Sequence, residues 1–70
     1  MKLVDNRNRK INIGDKVRIE KDIPSVNGML YKNTIVKIDD HNQLENRIKV
    51  TDTLGKIWWV TTNDVSSSYL

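Results

Sequence analysis

The chain contains no cysteine, which excludes disulfide bonds, thiolate chemistry and cysteine-ligated zinc. Its single histidine, His41, lies in a polar segment, so a serine–histidine triad has only this one flexible residue to draw on. The three glycines are isolated along the chain, at positions that suit turns, and form no phosphate-binding loop. We therefore expect a protein that is not an enzyme and that uses no cofactor and no metal ion.

Long hydrophobic runs are missing as well. No apolar stretch approaches the roughly 18 residues that a membrane-spanning helix needs, and residues 1–10, MKLVDNRNRK, lack the apolar stretch of a secretory signal. The sequence therefore predicts a cytoplasmic protein that does not contact a membrane. Its 70 residues leave room for one domain, residues 1–70. A domain of this size buries only about 60% of the surface that its unfolded chain exposes.

Strong helix formers are scarce in the composition. Alanine is absent, glutamate occurs only at Glu20 and Glu45, and lysine is the only abundant helix former. Isoleucine, valine and threonine together supply 20 residues, and these β-branched side chains are stiff about χ1 and suit a pleated sheet. The composition therefore predicts an all-β protein.

Short alternations of apolar and polar residues locate the strands. They occur at residues 14–21, 34–38, 47–50 and 56–60, and residues 1–13 suggest an N-terminal hairpin joined to them. Pro24 lacks a backbone N–H, so residues 23–33 are interpreted as a long loop, and residues 39–46 as a polar turn. Residues 61–65 are typical of a short helical turn before a last strand. Five or six short antiparallel strands predict a closed small barrel, which has no exposed sheet edges.

Several of these segments together resemble the SH3-like small-barrel superfamily. The motif GDKVRI at residues 14–19 opens a strand as in many such barrels, and TTNDV at 61–65 is similar to the 3₁₀ turn before their last strand. The resemblance covers residues 11–70 and implies the fold rather than a function. More narrowly, the whole sequence resembles the small YorP-type proteins of Bacillus prophages, which implies a phage or prophage origin and no particular mechanism.

The resemblance does not extend to recognition of proline-rich peptides. Domains of this superfamily that bind such peptides have an aromatic-rich, acidic first loop. The corresponding residues 21–33 offer only Tyr31 as an aromatic residue and Asp22 as an acidic one. Because a groove lined by several aromatic side chains is needed to hold a proline-rich peptide, this mode of binding is not expected.

The neighbouring tryptophans in the segment KIWWV, residues 56–60, raise a question, because adjacent residues of a strand point to opposite faces. Lys56 is expected to face water. Parity along the strand then places Trp59 in the core and Trp58 outside, unless a bulge or a register shift reverses the assignment. Two interpretations stay open: both indoles are structural, or the exposed one is a stacking platform or an anchor for a partner.

The sequence supports two binding hypotheses, of which a protein–protein interaction module is slightly favoured. This module uses Tyr31, an exposed tryptophan, taken as Trp58, and the segment of residues 21–33 to bind a protein partner. It includes self-association through edge strands. A monomer is the default expectation for the oligomeric state.

The alternative is weak, mainly electrostatic binding of nucleic acid. Residues 1–18 have six basic and two acidic side chains, a local charge of +4, whereas the rest has six basic and seven acidic, or −1. The proposed contacts are Arg7, Arg9, Lys10, Lys16 and Arg18, which Lys37 and Lys49 join if the strands pair suitably. The same charges are also typical of an ordinary solvated face. The run Asp39-Asp40-His41 is interpreted as a turn rather than a metal site.

Overall fold

The computed structural model describes residues 3–26 and 28–67 of the chain. The elements are β1 (Lys16–Ile19), β2 (Ile23–Ser25), β3 (Gly28–Leu30), β4 (Ile35–Asn42), β5 (Arg47–Thr51), β6 (Ile57–Thr61), a 3₁₀ helix (Thr62–Asp64) and β7 (Val65–Ser66). The predicted all-β class is confirmed, and so is the short 3₁₀ turn before the last strand. The described part of the chain has no α-helix, and therefore none of the length and hydrophobicity that crossing a bilayer requires.

Five strands form one antiparallel sheet in the order β6-β5-β4-β1-β7, and β2 pairs with β3 in a separate two-stranded sheet. Val17 of β1 lies opposite Val36 of β4. Val50 of β5 lies opposite Trp58 of β6. Because side chains alternate between the two sides of each strand, this register brings the apolar positions of neighbouring strands to the same face.

That apolar face is the core of the molecule. The buried apolar side chains are Ile11, Val17, Ile19, Leu30, Val36, Ile38, Ile48, Val50, Trp58, Val60 and Val65. Fully burying one such aliphatic side chain contributes roughly 1.5–3 kcal/mol, so this face holds the short strands together. The opposite face of the five-stranded sheet has exposed and half-buried side chains on β1, β4, β5 and β6, whereas β7 is buried on both sides.

The interpretation of residues 23–33 as a long loop is wrong in part, because β2 and β3 form within it. Pro24 of β2 lies opposite Met29 of β3. A two-stranded sheet consists only of edge strands, where a residue without a backbone N–H is tolerated. Leu30 at the end of β3 is buried in the core, which fixes the hairpin to the rest of the molecule.

The interpretation of residues 39–46 as a polar turn is also wrong in part, because β4 continues to Asn42. After a register shift that follows Ile38, Asp40 lies opposite Lys49 of β5. Pairing with β5 thus overrides the low strand propensity of aspartate and asparagine. The turn itself shortens to four residues.

The N-terminal segment folds back on itself before β1. Val4 and Lys10 form a single antiparallel bridge, and the N–H of Ile11 donates to the C=O of Leu3 at 3.1 Å. Asn8 has a φ of 62° in the turn between them, a conformation that asparagine adopts more readily than most residues. This turn places the carboxylate of Asp5 next to the main sheet.

The outer edge of β7 is covered by this segment. The Asp5 carboxylate is buried, and its Oδ2 accepts hydrogen bonds from the backbone N–H (2.8 Å) and the hydroxyl (2.9 Å) of Ser67. The N–H of Asn6 donates to the C=O of Val65 at 2.9 Å. Backbone groups that the edge strand would otherwise present to solvent are therefore hydrogen bonded to the N-terminal turn.

Candidate functional site

The two neighbouring tryptophans face opposite sides of the sheet, in the reverse of the predicted order. Trp58 is 7% exposed and lies opposite Val50, whereas Trp59 is 46% exposed and lies opposite Lys49. The prediction that Trp59 fills the core and Trp58 faces out is therefore wrong. It assumed that an exposed Lys56 marks the solvent-facing side of the strand, but Lys56 is exposed and its Nζ still lies 4.3 Å from the centroid of the Trp58 ring. A lysine can cover an aromatic ring with its stem and ammonium group, so its position did not mark the solvent face.

Trp58 of β6 is hydrogen bonded to the turn that joins β5 to β6. Its Nε1–H donates to Oδ2 of Asp52 at 3.1 Å, and Oδ1 of this carboxylate accepts from the N–H groups of Leu54 and Lys56, each at 2.9 Å. The hydrogen bond from Trp58 lowers the pKa of Asp52, and the two N–H groups add to this effect against the partial burial that raises it. Trp58 is thus held inside the fold, and its role in binding a partner stays a prediction.

A groove lies between the β2–β3 hairpin and the β5–β6 turn. Its volume is about 310 Å³, and its lining includes both residues predicted to bind a partner, Tyr31 and Trp58. Tyr31 is 63% exposed, and Met29 and Leu54 of the same lining are exposed as well. The structure therefore brings the two predicted residues together, but Tyr31 rather than Trp58 provides accessible aromatic surface.

The solvent-facing side of the five-stranded sheet gathers four basic side chains beside the exposed indole. Lys16 of β1 lies opposite Lys37 of β4, and Lys49 of β5 lies opposite Trp59 of β6. Arg47 lies two residues before Lys49 and points to the same side. Strands in a sheet are about 4.8 Å apart, so β1 to β6 span about 14 Å. We call the surface formed by Lys16, Lys37, Arg47, Lys49 and Trp59 the basic outer face.

In the part of the chain that the structure describes, no ion pair neutralises the four cations of this face. The ion pairs found there involve Arg9, Arg18 and Lys21. Two acidic residues border the face, because Asp40 lies opposite Lys49 and Asp39 accepts a hydrogen bond from the hydroxyl of Thr51. Four cations against two carboxylates leave the basic outer face with a local positive charge.

Two of the five basic residues predicted to bind nucleic acid are engaged in ion pairs. Nε of Arg9 lies 3.1 Å from Oδ2 of Asp5, and its Nη2 donates to the hydroxyl of Ser66 at 2.9 Å. Nη2 of Arg18 lies 3.4 Å from Oε1 of Glu20. The guanidinium group of Arg9 therefore stabilises the contact between the N-terminal turn and β7, whereas the ion pair of Arg18 is local to the end of β1.

The other three predicted residues, Arg7, Lys10 and Lys16, are exposed. Burial alone raises the pKa of Glu20, but hydrogen bonds and positive charges lower it below its usual value, with Arg18 the foremost contributor and Arg7 a minor one. Arg7 and Arg18 thus both interact electrostatically with the carboxylate of Glu20. Of the predicted set, Lys16 belongs to the basic outer face, and Arg18 lies on the same side of β1 but is paired with Glu20. The binding role of all five residues stays a prediction.

Sequence reasoning missed Arg47 and the exposed position of Trp59. The alternation of Arg47 and Lys49 with the buried Ile48 and Val50 already indicates that the two basic residues share the solvent face. The position of Trp59 beside Lys49 depends on the register between β5 and β6. A correct parity for β6 would have been sufficient to find it.

The run Asp39-Asp40-His41 belongs to β4 rather than to a turn. Residues 3–26 and 28–67 contain no group of three or more histidine, aspartate or glutamate side chains arranged to hold a metal ion. Neighbouring residues of a strand point to opposite faces, which is unfavourable for common coordination of one centre.

Comparison with protein-family models, with curated proteins and with solved structures finds no match to this chain.

Proposed function

We propose that this protein is a non-enzymatic module that binds single-stranded nucleic acid weakly through the basic outer face. The observation that supports this proposal is the register of the sheet, in which Lys49 lies opposite the exposed Trp59 and Lys16 lies opposite Lys37. Such a surface combines positive charge for phosphate groups with a π-face for a base. The preference moves from a protein partner to nucleic acid because Trp58, the intended anchor for a partner, is buried.

A single strand is the favoured ligand because its bases are free to stack on an indole. Stacking of this kind contributes roughly 1–3 kcal/mol per base and tolerates any sequence. Four phosphate contacts on a single strand give a slope of about −3 when the logarithm of the binding constant is plotted against the logarithm of the salt concentration. The affinity is therefore expected to fall about fiftyfold for a fourfold rise in salt.

The proposal also includes the fold type, a small SH3-like barrel of phage or prophage origin. It is supported by the pairing of β1 with the last strand, β7, and by the 3₁₀ helix that precedes β7. The separate β2–β3 hairpin follows β1 directly along the chain. An experimental structure that shows whether the hairpin closes the sheet would test this assignment.

A salt series of binding measurements with matched double variants tests the proposed function. Lys16→Ala with Lys37→Ala removes two charges from the basic outer face and should reduce the salt slope for a labelled single-stranded oligonucleotide by about 1.4. Arg7→Ala with Lys10→Ala removes the same charge elsewhere and should leave the slope nearly unchanged. Fluorescence anisotropy measures both. Equal weakening by the two double variants would contradict the assignment to this face.

The stacking role of the indole has its own matched control. Trp59→Ala should weaken oligonucleotide binding about tenfold, in line with the loss of one base–aromatic contact. Ile57→Ala, on the same side of β6, removes exposed apolar surface without removing a ring and should have little effect. Unchanged affinity in Trp59→Ala would exclude stacking on this residue.

A second candidate function is recognition of a protein partner at the groove beside Tyr31. It is favoured by the exposed apolar side chains of Met29, Tyr31 and Leu54 around one depression. Tyr31→Ala should then abolish capture of the partner while the affinity for oligonucleotides is retained. The reverse pattern would favour the basic outer face.

A further inference from the structure

The hydrogen bonds of the β5–β6 hairpin define which backbone groups of β6 face outward. The N–H of Asp52 donates to the C=O of Lys56 at 3.0 Å, so these two residues form a hydrogen-bonded pair next to the turn. Pairs in an antiparallel ladder alternate between hydrogen-bonded and non-hydrogen-bonded. The pairing of β5 with β6 has no register shift, so Val50 with Trp58 is the next hydrogen-bonded pair. The residues of β6 that alternate with Lys56 and Trp58 therefore point their N–H and C=O groups away from β5.

Those outward groups belong to Ile57, Trp59 and Thr61. The N–H of Thr61 is satisfied, because it donates to Oδ2 of Asp64 at 3.1 Å. The N–H and C=O groups of Ile57 and Trp59 have no hydrogen-bond partner among residues 3–26 and 28–67. β6 is the last strand of its sheet, with β5 as its only neighbour in that sheet. Within the described part of the chain, β6 therefore presents a short strand edge without hydrogen-bond partners.

This edge lacks the usual features that prevent strand pairing. Residues Ile57–Thr61, IWWVT, include no charged residue and no proline, and the strand has no bulge. The side chains of Ile57 and Trp59 are exposed next to the edge, at 53% and 46%. An apolar strand with free backbone groups is suited to pairing with another extended segment.

We infer that the edge of β6 binds a second copy of this chain, β6 against β6, in an antiparallel dimer centred on Trp58. In this arrangement Ile57 of each protomer lies opposite Trp59 of its partner, and each such pair exchanges both backbone hydrogen bonds. The exposed isoleucine then packs against the exposed indole twice, which makes the contact self-complementary as a twofold axis requires. β6 itself has no charged residue, so no like charges meet along the two paired strands.

The dimer joins two five-stranded sheets edge to edge. The two Trp59 side chains then lie on diagonal positions, roughly 7–8 Å apart, on the same side of the joined sheet. Two basic outer faces become neighbours on that side. The inference does not depend on the proposed binding of nucleic acid, since its readout is the assembly state of the protein alone.

Sedimentation over a wide range of protein concentration tests this inference with a pair of matched variants. Ile57→Lys adds a charge at the edge, and Ile13→Lys makes the same change at an isoleucine of nearly equal exposure, 54%, outside the edge. The wild type and Ile13→Lys should change from monomer to dimer as concentration rises, a doubling of mass. Ile57→Lys should stay monomeric. A monomer at all concentrations, or equal dimerisation of both variants, would overturn the inference.

Hydrogen exchange identifies the interface independently. The amides of Ile57 and Trp59 should exchange rapidly at low protein concentration and become protected at high concentration, in parallel with the mass. A dimer in which these two amides stay fast would place the interface elsewhere and overturn the inference. Protection that appears only when a different extended peptide is added would assign the edge to another chain, which would also overturn it.

Discussion

The two edges of the five-stranded sheet differ in how their backbone groups are satisfied. At the β7 edge, the N-terminal turn supplies the partners: Asp5 accepts from Ser67, and Asn6 donates to Val65. At the β6 edge, one residue is capped by a side chain of the 3₁₀ helix, and the strand otherwise faces outward with apolar side chains beside it. One edge is closed by a buried polar network, whereas the outward side of the other is open apart from the cap on Thr61.

The closed edge shows how much one carboxylate contributes. Burial by itself raises the pKa of Asp5, but hydrogen bonds from Ser67, Arg9 and Arg7 outweigh it and lower the pKa to about 2. The nearby guanidinium of Arg9 completes the arrangement with an ion pair of 3.1 Å. The β7 edge is therefore stabilised by a buried carboxylate that must stay ionised.

The largest expected effect is at the open edge, where Trp58 anchors β6 in the core. Trp58→Ala should destabilise the protein by about 3–5 kcal/mol, because a buried indole leaves a cavity and the Asp52 carboxylate loses a donor. Trp59→Ala, the neighbouring exposed indole, should cost less than about 1 kcal/mol. Urea unfolding measures both. Similar losses for the two variants would contradict the assignment of Trp58 to the core.

A somewhat smaller effect is expected at the closed edge. Asp5→Ala leaves the N–H and hydroxyl of Ser67 without their acceptor and Arg9 without its ion pair, which should cost about 3 kcal/mol. At low protein concentration, amide exchange should then accelerate at Asn6 and Ser67 and stay unchanged at Ile57, which is unprotected in the monomer. Asp5→Asn keeps the shape of the side chain and should lose less. A uniform acceleration over the whole sheet would show that the edge is not a separate unit.

The smallest expected change in the free energy of unfolding is its dependence on pH, to which Asp5 at the β7 edge contributes. Because the pKa of Asp5 is lowered from 3.8 to about 2, its contribution is complete above pH 3.8 and is lost as the pH falls toward 2. The loss amounts to about 2 kcal/mol. Asp52 and Glu20, whose pKa values are also lowered, add to the loss in the same direction. Acid titrations of the unfolding free energy for the wild type and Asp5→Asn isolate the Asp5 part, and parallel curves would contradict it.

Local patterns in the sequence predicted the fold class and the positions of several strands well. The abundance of β-branched residues and the absence of alanine indicate the all-β class, and the alternation around Val17 and Ile48 locates β1 and β5. Pro24 suggested a loop because its missing N–H excludes it from central strands, yet β2 is an edge strand where the rule does not apply. Polar residues at the end of β4 suggested a turn, and pairing with β5 proved stronger than propensity.

The candidate site was less accessible from the sequence, since it depends on contacts between distant residues. That Lys16 lies opposite Lys37 follows from the register of β1 against β4, which no local pattern determines. The parity of Trp58 and Trp59 was inferred from Lys56, whose contact with an indole is invisible in the sequence. The closure of the β7 edge by Asp5 joins residues 62 positions apart, from Asp5 to Ser67.

The central claim, that the basic outer face binds single-stranded nucleic acid, is tested most directly by an amide-resolved NMR titration with a short oligonucleotide at two salt concentrations. The account predicts shifts at Lys16, Lys37, Lys49 and the Trp59 indole, fading as salt rises. Shifts confined to Tyr31 and its groove, or no shifts at low salt, would contradict it.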